Sequence, residues 1–200
     1  MQTYTTNSFE ETQVLGEELA YYLSSSRKRG SRVFAPFLDS RLHGNDRRKG
    51  AVVLGLSGNL GGGKTTFMQG FAKGLGINEK ILSPTYVILK RFSLPSLRGH
   101  SNARSNPKAQ IASSPEASRN DGNFTDFYHI DCYRINKPEE ILELDFKKIV
   151  SNPKNIVAVE WPEKIKKYMP GLAFFLRFEI ADDQSRNISI EGFNGELKVI

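Results

Sequence analysis

Cysteine is almost missing from this chain: Cys132 stands alone among 200 residues. An internal disulfide is therefore excluded, and a reducing cytoplasm is the expected setting. Histidine is nearly as scarce, with three in the chain, so a Cys/His metal cluster is not expected. Long apolar runs are also missing. None approaches the ~20 residues that a membrane span needs, so no membrane partner is expected. The opening MQTYTTNSFEETQ is polar and acidic and lacks the pattern of a secretory leader. No internal repeat is visible. What remains is a soluble chain of one domain, 38% hydrophobic, long enough to bury a core without staples.

Charge is present in one sign more than the other, with a net of +6. Read alone, that points to a nucleic acid or a membrane surface. Its location changes the reading. Residues 24–50 hold eight basic residues against two acids, and residues 93–123 hold four against two. The other 142 residues are net −2, with 16 basic and 18 acidic residues. Both basic segments are poor in apolar residues and rich in Ser, Asn, Pro, Gly or Arg. They read as loop insertions into one domain spanning 1–200.

Elsewhere the pattern alternates between helix and strand. Residues 8–23 have helical spacing (Val14, Leu15, Leu19, Tyr22, Leu23), with Ser8 and Glu11 placed as a capping box. AVVLGL at 51–56 reads as a buried strand, followed by a glycine-rich turn and a helix from Thr65 to Leu75 ended by Gly76. Tyr86–Leu89 and FYHIDCYRI at 127–135 read as strands. A helix is predicted from Pro138 to Val150, a strand at 156–159 and a short helical stretch at 162–169. Strands at 172–180, 186–193 and 196–200 close the chain. Apolar strands alternating with helices predict an α/β domain.

The sharpest motif is Gly58-Asn59-Leu60-Gly61-Gly62-Gly63-Lys64-Thr65, which fits G-x-x-x-x-G-K-[ST] between a strand and a helix. Glycines let backbone N–H groups turn inward around phosphates. The following helix points its positive end at the same anion. Lys64 suits β/γ-phosphate oxygens, and the Thr65 hydroxyl suits Mg²⁺. The expected nucleotide-binding set is Asn59, Leu60, Gly61, Gly62, Gly63, Lys64, Thr65 and Thr66, with ATP and Mg²⁺ as cofactors. Glu160 ends an apolar strand, where a carboxylate can hold Mg²⁺ or orient water. Asp131 lies among aromatics, where it either coordinates a cation, pairs with Arg134 or faces solvent from the strand. Ser83-Pro84-Thr85 suits a γ-phosphate sensor or an ordinary turn. Cys132 and His129 read as structural; His43 and His100 fall in the insertions.

GNLGGGKTT, SPTY, YHIDCYRI with PEE downstream, and VEWPEKI together resemble one family, TsaE (also called YjeE). The resemblance covers about residues 7–23, 51–92 and 124–197. It implies a three-layer P-loop NTPase fold with a mostly parallel central sheet and antiparallel C-terminal strands. It also implies an ATPase that supports a TsaB–TsaD pair in threonylcarbamoylation of the adenosine beside the anticodon of tRNA. The tRNA would then be met through those partners. By motif match, Lys64, Asp131 and Glu160 are the expected catalytic residues, and Thr65 and Glu160 the metal ligands. Trp161 matches a tryptophan beside the acid, and Arg186 a C-terminal arginine near the nucleotide. Residues around Ser8–Glu11 would lie near the adenine. Two departures stand inside the loop: Asn59 where an acid is usual, and Gly62 where alanine is common.

Other classes stay open at this stage. A P-loop small-molecule kinase needs an arginine-bearing lid, and segment 24–50 precedes the loop. A GTPase needs N-K-x-D, and Asn136-Lys137-Pro138-Glu139 has the wrong last residue. A nucleic-acid module needs aromatics among its basic residues; 24–50 offers Phe34 and Phe37, and 93–123 offers none. Asn59 also leaves room for a nucleotide binder with little turnover.

Overall fold

In the computed structural model, which describes residues 1–26, 50–79, 81, 88–95, 124–193 and 197, one strand shows how the layers arise. Strand β2 (Val52–Gly58) buries both faces. Leu54 and Leu56 enter one core, and Val53 enters another on the opposite face. The elements in chain order are β1 (Gln2–Thr6), α1 (Phe9–Ser26), β2, α2 (Lys64–Gly74), β3 (Leu89–Ser93) and β4 (Asp126–Asp131). A 3₁₀ helix at Pro138–Leu144, α3 (Phe146–Ser151) and β5 (Asn155–Glu160) follow. A second 3₁₀ helix at Pro162–Tyr168, β6 (Phe174–Ile180) and β7 (Arg186–Glu191) complete the described elements.

The seven strands form one sheet in the order β1-β7-β6-β2-β5-β4-β3. The four central strands, β6, β2, β5 and β4, are parallel to one another. Helices α1 and α2 cover one face over Phe67, Phe71, Phe127, Leu176 and Ile188. The two 3₁₀ helices and α3 cover the other over Ile130, Ile141, Phe146, Val157 and Ile165. That gives three layers. The C-terminal strands β6 and β7 pair antiparallel, as expected, and β6 joins the central sheet by running parallel to β2. The opposite edge is antiparallel too, since β3 runs against β4.

Strand β1 was not anticipated. Its QTYTT sequence is polar, because it pairs only with β7 at the sheet edge and turns Tyr4 and Thr6 inward. The helix predicted from Pro138 to Val150 is broken. Asp145 takes φ 56°, which ends a 3₁₀ helix and starts α3 as a separate piece. Strand β4 stops at Asp131 instead of Ile135. Of the expected strand Tyr86–Leu89, Tyr86 and Val87 lie outside the described residues, and Leu89 opens β3. Residues 27–49 and 96–123, most of both proposed insertions, lie outside the described residues. So do Ser83–Thr85, His43, His100 and most of the expected strand at 196–200. Among the described residues no helix is long and apolar enough to cross a membrane.

Cys132 lies in the second core and is fully buried. Burial, with the nearby Asp131 charge adding, pushes its thiol up to about 12. The thiolate is the reactive form. At pH 8 its population is then about 10⁻⁴, against roughly a quarter for an unperturbed thiol. Native protein is expected to react with a thiol reagent at least a thousandfold more slowly than urea-unfolded protein. Native and unfolded rates within tenfold of each other would contradict this burial.

Candidate functional site

The turn between β2 and α2 shows why its residues are glycine. Gly61 takes φ 74° and Gly63 takes 97°, where a side chain is strained. The Gly62 N–H donates to Asn59 O at 3.1 Å, and a Cβ on Gly62 would lie 2.9 Å from that oxygen. The loop thus closes around a bare Gly62; alanine there would push the Asn59 carbonyl aside. A Cβ on Gly61 would meet nothing within 4 Å. Asn59 and Leu60 are exposed at the crest of the loop, and Thr65 and Thr66 are half-buried in the first turn of α2. The first helical bond runs from Phe67 N–H to Gly63 O at 2.9 Å. The earlier N–H groups have no partner within the helix, and the helix dipole makes this end attractive to an anion.

Lys64 is buried at the head of α2. Its Nζ donates to Gly58 O at 2.7 Å and Asn59 O at 2.9 Å, and lies 4.4 Å from the centre of the Trp161 ring. Burial lowers its pKa below the ordinary lysine value, opposed in part by Glu160, Glu163 and Asp131. An ammonium has three donors. Two are spent on loop carbonyls, which leaves one for another acceptor.

Glu160 ends β5 in register with Leu56 on one side and Asp131 on the other. The parallel strands β2, β5 and β4 therefore deliver the glycine loop and both carboxylates to one edge. Ligands of open α/β sheets bind beyond this carboxyl edge. The Glu160 side chain is buried, and its Oε1 lies 2.9 Å from His129 Nε2, which is buried as well. Sequence reading assigned His129 a structural role and missed this pair. The residues are 31 apart, and only the β4–β5 pairing joins them. Asp131 is half-buried, and its Oδ1 accepts the Tyr133 N–H at 2.9 Å where the chain leaves β4.

Trp161 follows Glu160 in the left-handed region, at φ 57° and ψ 51°. For a bulky residue that costs about 1–3 kcal/mol and marks a place where the surroundings impose the conformation. Its N–H extends the ladder to Leu56 O at 3.0 Å, and its ring packs 5.4 Å from that of Tyr133. Lys164 fastens the same corner by donating to the carbonyls of Tyr133 and Ile135.

Arg186 approaches the loop from β7. Its Nη1 donates to Ser185 O at 2.9 Å and Asp182 O at 3.1 Å, and its Nη2 reaches Gly61 O at 3.4 Å. Its Nε is buried with no hydrogen-bond partner among the described residues. Ser8 caps α1 by accepting the Glu11 N–H at 3.1 Å, while Glu11 accepts the Asn7 N–H at 2.7 Å. One turn on, Thr12 Cγ2 lies 3.7 Å from where a Cβ of Gly63 would be. Thr12 also exchanges a hydroxyl bond of 2.8 Å with Thr6. The start of α1 is thereby brought against the loop.

The family model described as Threonylcarbamoyl adenosine biosynthesis protein TsaE matches residues 6–102 and 113–188. The chain belongs to the TsaE family. Two relatives named tRNA threonylcarbamoyladenosine biosynthesis protein TsaE illustrate the likeness. The one from Nostoc sp. is 31% identical over 76% of this chain and 77% of its own length. The one from Bacillus subtilis is 30% identical over 74% of each. The fold is shared with YdiB of Bacillus subtilis, whose crystal structure superposes with a TM-score of 0.54 at 24% identity. That superposition covers 94% of this TsaE-family chain and 83% of the other. The match to the family model breaks between residues 102 and 113, within the second proposed insertion.

Proposed function

We propose that this TsaE-family chain is an ATPase of tRNA threonylcarbamoyladenosine biosynthesis, acting in the cytoplasm with a TsaB–TsaD-like pair. The observation that carries the reading is the convergence of Lys64, the glycine turn and Glu160 at one sheet edge. The turn and the start of α2 offer N–H groups to phosphates, and Lys64 adds its charge. A nucleotide triphosphate would replace solvent and loop carbonyls as the partner of that ammonium. Arg186, with a buried and unspent Nε–H beside Gly61, closes the cradle on its far side.

Mg²⁺ keeps waters and substrate phosphates as most of its ligands. The Thr65 hydroxyl and one carboxylate, Glu160, supply what the protein must add. When bound, Mg²⁺ neutralises charge on the β- and γ-oxygens. Glu160, or Asp131 at the same register, orients the attacking water in line with the leaving group. Asn59 and the engagement of Lys64 by the loop favour one alternative, a nucleotide binder with little turnover.

A single assay separates these readings. ATP hydrolysis is measured with and without the TsaB–TsaD pair, for wild type and Glu160→Gln. Wild type is expected to turn over faster with the pair, and Glu160→Gln to lose about 100-fold or more, the scale of a positioned acid–base group. With Lys64→Ala as the background, wild-type rates no higher than that background under both conditions would sink the ATPase claim and leave the binder; wild-type rates above it but equal to those of Glu160→Gln would give the water to Asp131.

A further inference from the structure

A buried carboxylate costs several kcal/mol unless it is paired. Among the described residues, Glu160 is hydrogen-bonded to His129, at 2.9 Å between Oε1 and Nε2. Lys64, the cation of the same site, directs two donors at Gly58 O and Asn59 O. His129 lies two residues before Asp131 on β4, so alternation puts both on the face that carries Glu160. On that face Phe127 already serves the core, with its ring 5.7 Å from that of Phe71. An aliphatic residue at 129 would fill space equally well but would leave Oε1 buried and unsatisfied.

We propose that His129 is a positioning residue for Glu160. Its Nε2–H holds Oε1, fixes the rotamer of the carboxylate and leaves Oε2 as the oxygen for a nucleotide-bound cation or water. This rests on the nucleotide-site reading given above and assigns His129 a place in it. Partners one shell away from a metal ligand commonly carry 10–100-fold in metal affinity or activity. The imidazole donor should therefore show itself in the response to Mg²⁺ more than in the affinity for nucleotide alone.

Trp161, the one tryptophan of the chain, adjoins Glu160 and reports on it by fluorescence. The experiment titrates β,γ-imido-ATP against Trp161 emission, with MgCl₂ and with EDTA, and takes the ratio of the two affinities. Wild type is expected to gain at least tenfold from Mg²⁺. His129→Leu is expected to keep its metal-free affinity within about threefold and to lose most of that gain. His129→Gln, whose amide nitrogen can stand where Nε2 stood, is expected to retain the gain within about threefold. If His129→Leu does not fold, His129→Asn replaces it, because its shorter amide cannot reach Oε1.

An Mg²⁺ gain in His129→Leu or His129→Asn equal to that of wild type would overturn the assignment. So would a His129→Gln variant as impaired as His129→Leu. A wild type whose affinity ignores Mg²⁺ would overturn both the assignment and the Mg²⁺-dependent site beneath it. A wild type that gains from Mg²⁺ but does not hydrolyse ATP would sink the ATPase reading alone, with the ranking of the His129 variants still deciding the assignment.

Discussion

Lys64→Ala is expected to weaken nucleotide binding by roughly 30- to 1,000-fold and to bring hydrolysis to the protein-free background. The estimate takes about 2–4 kcal/mol for removing one partner of a buried charged contact, at 1.4 kcal/mol per decade. The fold should survive the change. Lys64 is a buried cation whose desolvation is offset by two carbonyl bonds and the Trp161 face. Removing the charge removes that desolvation cost along with the bonds, so the net change in stability is small. Melting within about 3 °C of wild type, together with lost binding of a fluorescent nucleotide, is the expected pair of results. An affinity within threefold of wild type would show that Lys64 does not meet the phosphates.

The second large effect concerns a residue that touches no ligand. Gly70→Ala is expected to destabilise the protein by about 2 kcal/mol, although alanine favours helix over glycine by about 1 kcal/mol. Packing overrides propensity because α1 and α2 meet backbone to backbone. A Cβ on Gly70 would lie 1.9 Å from Gln13 O, one on Gly16 2.3 Å from Phe67 O, and one on Gly74 2.7 Å from Glu17 O. No rotamer relieves a contact with a backbone oxygen, so the helices must separate. Overpacking typically costs about 1–3 kcal/mol, occasionally more, and a contact this short with a backbone oxygen belongs at the upper end. For a chain of this size the melting temperature should fall by roughly 4–8 °C. Gly171, whose Cβ would meet nothing within 4 Å, provides the control; Gly171→Ala should change stability by less than about 0.5 kcal/mol. Equal melting of the two variants would show that the helices do not meet in this way. The close contact matters to the site, because α1 carries Thr12 against Gly63 and α2 begins with Lys64.

The two effects differ in how far the sequence announced them. The glycine turn, Lys64 and the helix after it were legible because phosphate-loop chemistry is local: eight consecutive residues carry both the geometry and the charge. Glu160 was legible as a strand-end acid for the same reason. Strand β1 was not, since an edge strand with one buried face and no aliphatic residue has little hydrophobic alternation to detect. The break at Asp145 was hidden because PEEILELDFKKIV has helical composition throughout, and a residue other than glycine at φ 56° leaves no mark in composition. The roles of Gly16, Gly70 and Gly74 were not legible, because only the packing of α1 against α2 sets a backbone oxygen beside each of them.

The sequence by itself determined that this is an α/β chain with a G-x-x-x-x-G-K-T turn, and that its positive charge is concentrated in residues 24–50 and 93–123. Those properties follow from short-range rules of periodicity, turn chemistry and composition. The tertiary structure alone decided that Glu160 and Asp131 stand in register at one sheet edge, that Trp161 faces Lys64, that Arg186 reaches Gly61, and that His129 is the partner of Glu160. Each of these joins residues far apart in the chain. Strand order and register fix such pairs, and no local pattern encodes them.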